Sequence, residues 1–114
     1  MALNNTALNT AGTAIAAQIT YVSLHTSGAV TSSTSESAAA RQPVTWSVSA
    51  GGNLTASNIA FTGGTASGPV VRVGYWSAST AGTYLGGSLL TGDQAFNAAG
   101  AYTVTSIAEN VSSS

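Results

Sequence analysis

The sequence predicts an all-β fold, a small antiparallel β-sandwich or barrel with a short N-terminal helix. Three observations carry that expectation. Short runs rich in Val, Ile, Thr, Tyr and Trp alternate apolar and polar residues at period two, the repeat of a strand with one covered face. Clusters of Gly, Ser, Asn and Pro separate those runs, as turns do. Helical spacing of apolar residues is confined to positions 2–18. At 114 residues the chain suits one domain with one modest core: a helix or arm over 1–18, a β body, and a polar tail over 108–114.

Taken in order, Leu3, Ala7, Ala11, Ala14, Ile15 and Gln18 fall near one helical face. Gly12 weakens that helix by about 1 kcal/mol relative to Ala, so it must lean on the sheet. Asn4 or Asn5 is the expected N-cap. The run 19–26, ITYVSLHT, is a strand with Val22 and Leu24 on one face and Ile19, Tyr21, Ser23 and His25 on the other. Residues 27–37 form a Ser/Thr-rich loop, expected to be exposed and long enough to serve as a contact loop. The run 38–49, AAARQPVTWSVS, leads into a second strand, with Val44, Trp46 and Val48 sharing a face and Thr45, Ser47 and Ser49 the opposite one. Ala50–Asn53 is a turn, and 54–62 a strand with Ile59 and Phe61 in alternation.

The densest β-branched and aromatic run is 69–76, PVVRVGYW. Both of its faces carry large apolar groups, which marks a central strand. Pro69 stands at its first position, where a missing N–H does least harm. Residues 77–82 form a hairpin loop and 83–90 the returning strand, with Gly86 and Gly87 signalling a bulge or close approach. An irregular stretch anchored by Phe96 leads to a last strand over 101–107. There Tyr102 and Val104 are expected on one face, and Thr103, Thr105 and Ile107 on the other.

Charge is scarce. There are two arginines, no lysine, three acids and one histidine, and 4% charged residues against roughly 25% in ordinary soluble domains. Low hydropathy with high net charge marks disorder; here mean hydropathy is +0.26 at a net charge of −1. Two arginines neutralise few phosphates, so nucleic acid is not an expected partner. No run approaches the roughly 20 apolar residues of a spanning helix, so no membrane insertion is expected. The N-terminus lacks the basic and apolar regions of a signal peptide, and synthesis in the cytoplasm is expected. Absent cysteine removes disulfides and thiolate chemistry.

No set of residues reads as a reaction centre, and neither a cofactor nor a metal is expected. His25 has only the scattered acids Glu36, Asp93 and Glu109 for company, and its expected role is local hydrogen bonding. No GxSxG elbow, GxGxxG loop or EF-hand pattern is present. Trp46, Tyr75, Trp76 and Tyr84 read as core or subunit-interface aromatics, or alternatively as a sugar-stacking platform. Arg41 and Arg72 are expected to pair with Glu36, Asp93 or Glu109, within the fold or between subunits. The candidate interface is therefore Arg41, Trp46, Arg72, Tyr75, Trp76 and Tyr84.

Five short motifs occur in order: Leu24-His25-Thr26, Ala40-Arg41-Gln42, Val44-Thr45-Trp46, Gly74-Tyr75-Trp76-Ser77 and Leu85-Gly86-Gly87. In that order they resemble a family of small tailed-bacteriophage virion structural proteins, the minor tail or tail-fibre-like proteins of actinobacteriophages. The resemblance spans about residues 15–107, and its motifs are structural rather than catalytic. One departure is the loop after Leu24-His25-Thr26: a Ser/Thr run stands where the family carries an acidic, Gly-rich one, so no family loop contact is carried over. The resemblance implies a non-enzymatic building block of the virion. Its expected partners are copies of itself, with a trimer favoured, and neighbouring tail or major capsid proteins. Placement on the tail tip or fibre is the first expectation and capsid decoration the second. A host cell-wall carbohydrate-binding module is the alternative of a different class.

Overall fold

The computed structural model describes residues 3–91 and 94–111. One helix, α1 (Asn5–Gln18), precedes the strands β1 (Tyr21–His25), β2 (Gln42–Pro43), β3 (Ser47–Ser49), β4 (Asn53–Phe61), β5 (Arg72–Trp76), β6 (Tyr84–Leu89) and β7 (Tyr102–Asn110). They form two antiparallel sheets, ordered β2-β1-β5-β6 and β3-β4-β7. The fold is a β-sandwich with a short N-terminal helix.

The core lies between the sheets. Val22, Leu24, Val73 and Tyr75 from the first meet Ala56, Ile59, Phe61, Val104 and Ile107 from the second. The period-two alternation that places Val22 with Leu24, and Val73 with Tyr75, is what turns these side chains to one side. Phe96 packs into the same cluster from the irregular stretch before β7. β5 is an interior strand buried along its whole length. It is shorter than 69–76, because Pro69 forms only an isolated bridge with Ala95. The bulge expected in β6 is there: pairing steps from Tyr75↔Gly86 to Trp76↔Tyr84, leaving Leu85 extra. Gly86 takes φ +136°, a conformation a side chain disfavours.

Several boundaries differ from those the sequence predicts. The strand expected within 38–49 is divided. It pairs as β2 in the first sheet, crosses between the sheets at 44–46, and pairs as β3 in the second. The inward alternation of Val44, Trp46 and Val48 survives the crossing, with all three half-buried. Helix α1 is capped by Asn4, whose Oδ1 accepts the Ala7 N–H at 3.0 Å. Its inward face is not the Ala7–Ile15–Gln18 stripe: Ile15 and Leu3 are exposed and Gly12 is the buried residue. A Cβ on Gly12 would stand 3.3 Å from both Leu54 and Val48 side chains, so the glycine sets how closely helix and sheet approach.

The last strand continues through Asn110, so Ala108, Glu109 and Asn110 are sheet residues rather than a loose tail. Residues 112–114 lie outside the described residues, as does Asp93. Ile107 faces the core alongside Val104, not away from it. The reason is a coordinated change of pleat. Asn58 of β4 adopts φ +56°, and Ser57–Asn58 and Thr105–Ser106 are consecutive exposed pairs in the two facing strands. Both strands change phase together, and their register is kept.

Candidate functional site

The six residues singled out by sequence do not form one surface. Arg41, Arg72, Trp76 and Tyr84 cluster on the outer face of the first sheet. Trp46 and Tyr75 lie on its core side.

Strand pairing builds the outer face. Ser23 stands opposite Gly74, and His25 opposite Arg72, across β1 and β5; Tyr84 stands opposite Trp76 across β5 and β6. Period two puts Ser23, His25, Arg72, Gly74 and Trp76 on one side. Ser23, His25 and Arg72 are each fully buried. What buries them is the backbone of the loop over 26–37. Its side chains are mostly exposed, as expected of a loop, but its carbonyl groups turn inward.

Arg72 is held by that backbone. Nε donates to Ser27 O at 2.9 Å, Nη1 to Ser32 O at 2.8 Å, and Nη2 to Thr34 O at 2.8 Å. Nη1 also donates to the Tyr84 hydroxyl at 2.8 Å, and that hydroxyl donates to Val30 O at 2.7 Å. Of the acids expected beside Arg72, Glu36 pairs with Arg41 and Glu109 accepts from Tyr75, while Asp93 lies outside the described residues. Among the described residues the one ion pair is Arg41 with Glu36. The planar guanidinium offers five donors in fixed directions, which is why carbonyls at fixed loop positions can satisfy it.

His25 continues the network. Thr34 O can only accept, so His25 Nδ1, 2.8 Å away, carries the proton. Nε2 is then the acceptor for the Ser23 hydroxyl at 2.6 Å, and Ser23 Oγ in turn accepts the Trp76 indole N–H at 2.9 Å. Burial lowers the affinity of His25 for a second proton, with the nearby Arg72 cation adding to the effect. Burial also raises the Tyr84 phenol, against the pull of Arg72. The imidazole is neutral and its tautomer is fixed.

Gly74 makes room for this. A Cβ there would fall 2.4 Å from His25 Nε2, 2.7 Å from Ser23 Oγ and 2.8 Å from the Tyr84 ring. Over the Trp76 ring, 3.5 Å from its centroid, lies the Arg41 guanidinium. Arg41 grips both carboxylate oxygens of Glu36, at 2.8 and 3.1 Å, and donates to Ala78 O and Ala81 O in the β5–β6 loop. Its pairing is within the fold, as one of the two sequence readings had it. Trp76 is almost wholly buried with Arg41 on one ring face and Tyr84 edge-on at 5.1 Å. It offers no free face for a sugar.

On the core side, the Trp46 indole donates to Ile19 O at 3.1 Å and meets Tyr75 edge-to-face at 5.7 Å. The Tyr75 hydroxyl donates to Glu109, and burial together with that carboxylate pushes the phenol far above its ordinary range. Trp46, Tyr75, Ile15, Leu85 and Glu109 line an open groove of about 240 Å³ between α1 and the ends of β6 and β7.

Ser23 and His25 are at the distance of a nucleophile and its base, yet the arrangement is closed to chemistry. Both side chains are fully buried, and Ser23 Oγ is held between indole and imidazole. No reacting carbonyl can approach it. No cluster of three or more metal-ligating side chains occurs among the described residues. The members that sequence reasoning left out, Ser23, Gly74 and the Thr34 carbonyl, had only one visible signal: Ser23 and His25 share a strand face. The acceptor role of a Ser/Thr loop backbone leaves no trace in side-chain types. No helix of the described residues is long and apolar enough to cross a membrane.

No protein-family model matches the chain, and neither a curated protein nor a solved structure does.

Proposed function

We propose that the chain is a non-enzymatic structural protein of a tailed-bacteriophage virion, a small tail-tip or fibre component that assembles as a homo-oligomer. The observation that carries this reading is where the motif residues fall. His25 of the first motif, Arg41 of the second and Trp76 of the fourth belong to one sealed network that pins two loops to the sheet. Motifs of that kind hold a shape, and a fixed shape suits a building block. The scarcity of charge supports assembly, since little electrostatic repulsion opposes contact between copies.

The test is direct. Mass spectrometry of purified phage particles, with labelled antibody located on them by electron microscopy, is expected to find the chain on the tail. Label on the head would move it to capsid decoration, and absence from finished particles would end the virion reading.

A further inference from the structure

The two sides of the sandwich are closed differently. On one side the edge strands are β2, two residues ending in Pro43, and β3, three residues, with residues 44–46 crossing between them. Short edges and proline are how sheets avoid pairing with other chains. On the other side the edges are β6 and the nine-residue β7. Among the described residues, Thr103–Asn110 pair with β4 alone, which leaves the far edge of β7 open. Leu89 of β6 and Leu90 just after it face Tyr102–Ser106 of β7 across a groove of about 580 Å³. Leu89 is 66% exposed, the most exposed large apolar side chain described.

We infer that β7 is a pairing edge, and that its occupant is the β7 strand of a second copy of this chain, laid antiparallel. The inference rests on the assembly reading above and names the surface it would use, with a two-fold pair in place of the trimer that the resemblance favours. An open edge presents alternating N–H and C=O groups, and an extended backbone is what satisfies them. Charge does not oppose pairing with a second copy. The exposed residues Thr103, Thr105, Ser106 and Ala108 are small and neutral, and β7 carries no lysine, arginine or proline. Its one charge is Glu109, already bonded to Tyr75. In a two-fold pairing centred on Ser106, Glu109 meets the partner's Thr103, and the two Glu109 carboxylates stand about 20 Å apart along the strand. Two three-stranded sheets would thus become one of six strands.

Sedimentation velocity over a concentration series tests this on the full chain. The double variant Thr103→Lys, Thr105→Lys is expected to weaken self-association at least tenfold, while Thr55→Lys, Ser57→Lys on the interior strand β4 leaves it unchanged. The chain has no cysteine of its own, so single cysteines give a second readout that does not depend on tolerance of lysine. Ser106→Cys, which would face its own copy across the two-fold, is expected to crosslink to a dimer under oxidation, and Ser57→Cys to stay monomeric. Equal association of both lysine variants, or no preference in crosslinking, overturns the β7 pairing while leaving assembly through another surface standing. A wild-type chain that stays monomeric at high concentration overturns both.

Discussion

The central strands of the first sheet, β1 and β5, are buried on both faces, and by opposite means. Their inner face, Val22, Leu24, Val73 and Tyr75, is covered by the apolar side chains of a second sheet. On their outer face, His25 and Arg72 are covered by backbone carbonyls from a loop of Ser and Thr, and Trp76 by Arg41 and Tyr84. Apolar cover is non-directional, so many residues of about the right size would serve there. Polar cover is directional: each donor needs its acceptor at one place, and a lost partner leaves a buried group unsatisfied. The inner face therefore holds the domain together, while the outer face decides the course of a loop.

Removing Arg72 separates the two faces most sharply. Arg72→Met strips the donor from three loop carbonyls and the Tyr84 hydroxyl, and a loss of about 3–5 kcal/mol is expected, since each buried acceptor left unsatisfied costs about 1–3 kcal/mol. Leu24→Ala on the inner face costs a comparable amount, about 2–5 kcal/mol, through a cavity. Urea denaturation measures both, and hydrogen exchange tells them apart. The Arg72 variant is expected to lose protection at the Thr26 and Ser37 amides, which anchor the loop to Ser35 and Leu24 carbonyls, well before global unfolding. If the loop amides stay as protected as the strands, the distinction between the faces fails. Gly74→Ala comes next. Its methyl group collides with His25, Ser23 and Tyr84 together, and overpacking of that kind costs about 1–3 kcal/mol. A variant as stable as the parent would show that the network can shift aside.

The inner face was legible in the sequence because its rule is a period. Val22 with Leu24, Val73 with Tyr75, and Ile59 with Phe61 can be read off by alternation alone. The period failed where the backbone broke it, at Asn58, whose positive φ re-phases β4 and β7 together; at 44–46 the alternation holds, but one run serves two sheets, which a period does not reveal. The outer face was legible only as a problem, a charge among valines in an interior strand. The solution was hidden because carbonyl groups belong to every residue, so no residue type in the loop announced it. Arg41 with Glu36 could be anticipated as one pairing among several, since opposite charges are rare in this chain. That Arg41 also covers Trp76 depends on two strands meeting through a third.

A pH titration sharpens the outer face further, with a smaller effect. His25 is neutral in the fold, and burial holds its pKa below the ordinary 6.5. Below 6.5 the unfolded chain binds a proton that the folded chain refuses, so stability falls as pH drops through that value toward the folded pKa. Above 6.5 neither state binds it, and this contribution is flat. Urea midpoints between pH 7.5 and 5 are expected to decline for the parent chain. His25→Asn is less stable at pH 7.5 but loses the part of that decline due to the imidazole. Parallel curves would mean that the imidazole already accepts a proton within the fold.

Arg41 gives the smallest effect and the finest discrimination. It sits at the rim of the outer face, its side chain 10% exposed and that of Glu36 28% exposed. Partly solvated ion pairs contribute about 0–1 kcal/mol, and a cation over an indole ring about 0.5–2 kcal/mol. Arg41→Ala is therefore expected to lower stability by about 1–2 kcal/mol. Arg41→Lys keeps the charge but loses the two-pronged grip on Glu36 and the carbonyls of Ala78 and Ala81, and should fall between. Both shifts are read from urea midpoints at fixed ionic strength, and association is measured beside them. If Arg41 works within the chain, stability falls and association through β7 is untouched. If association is lost while the midpoint holds, the guanidinium serves a neighbouring subunit, and the outer face is a contact surface as well as a lock.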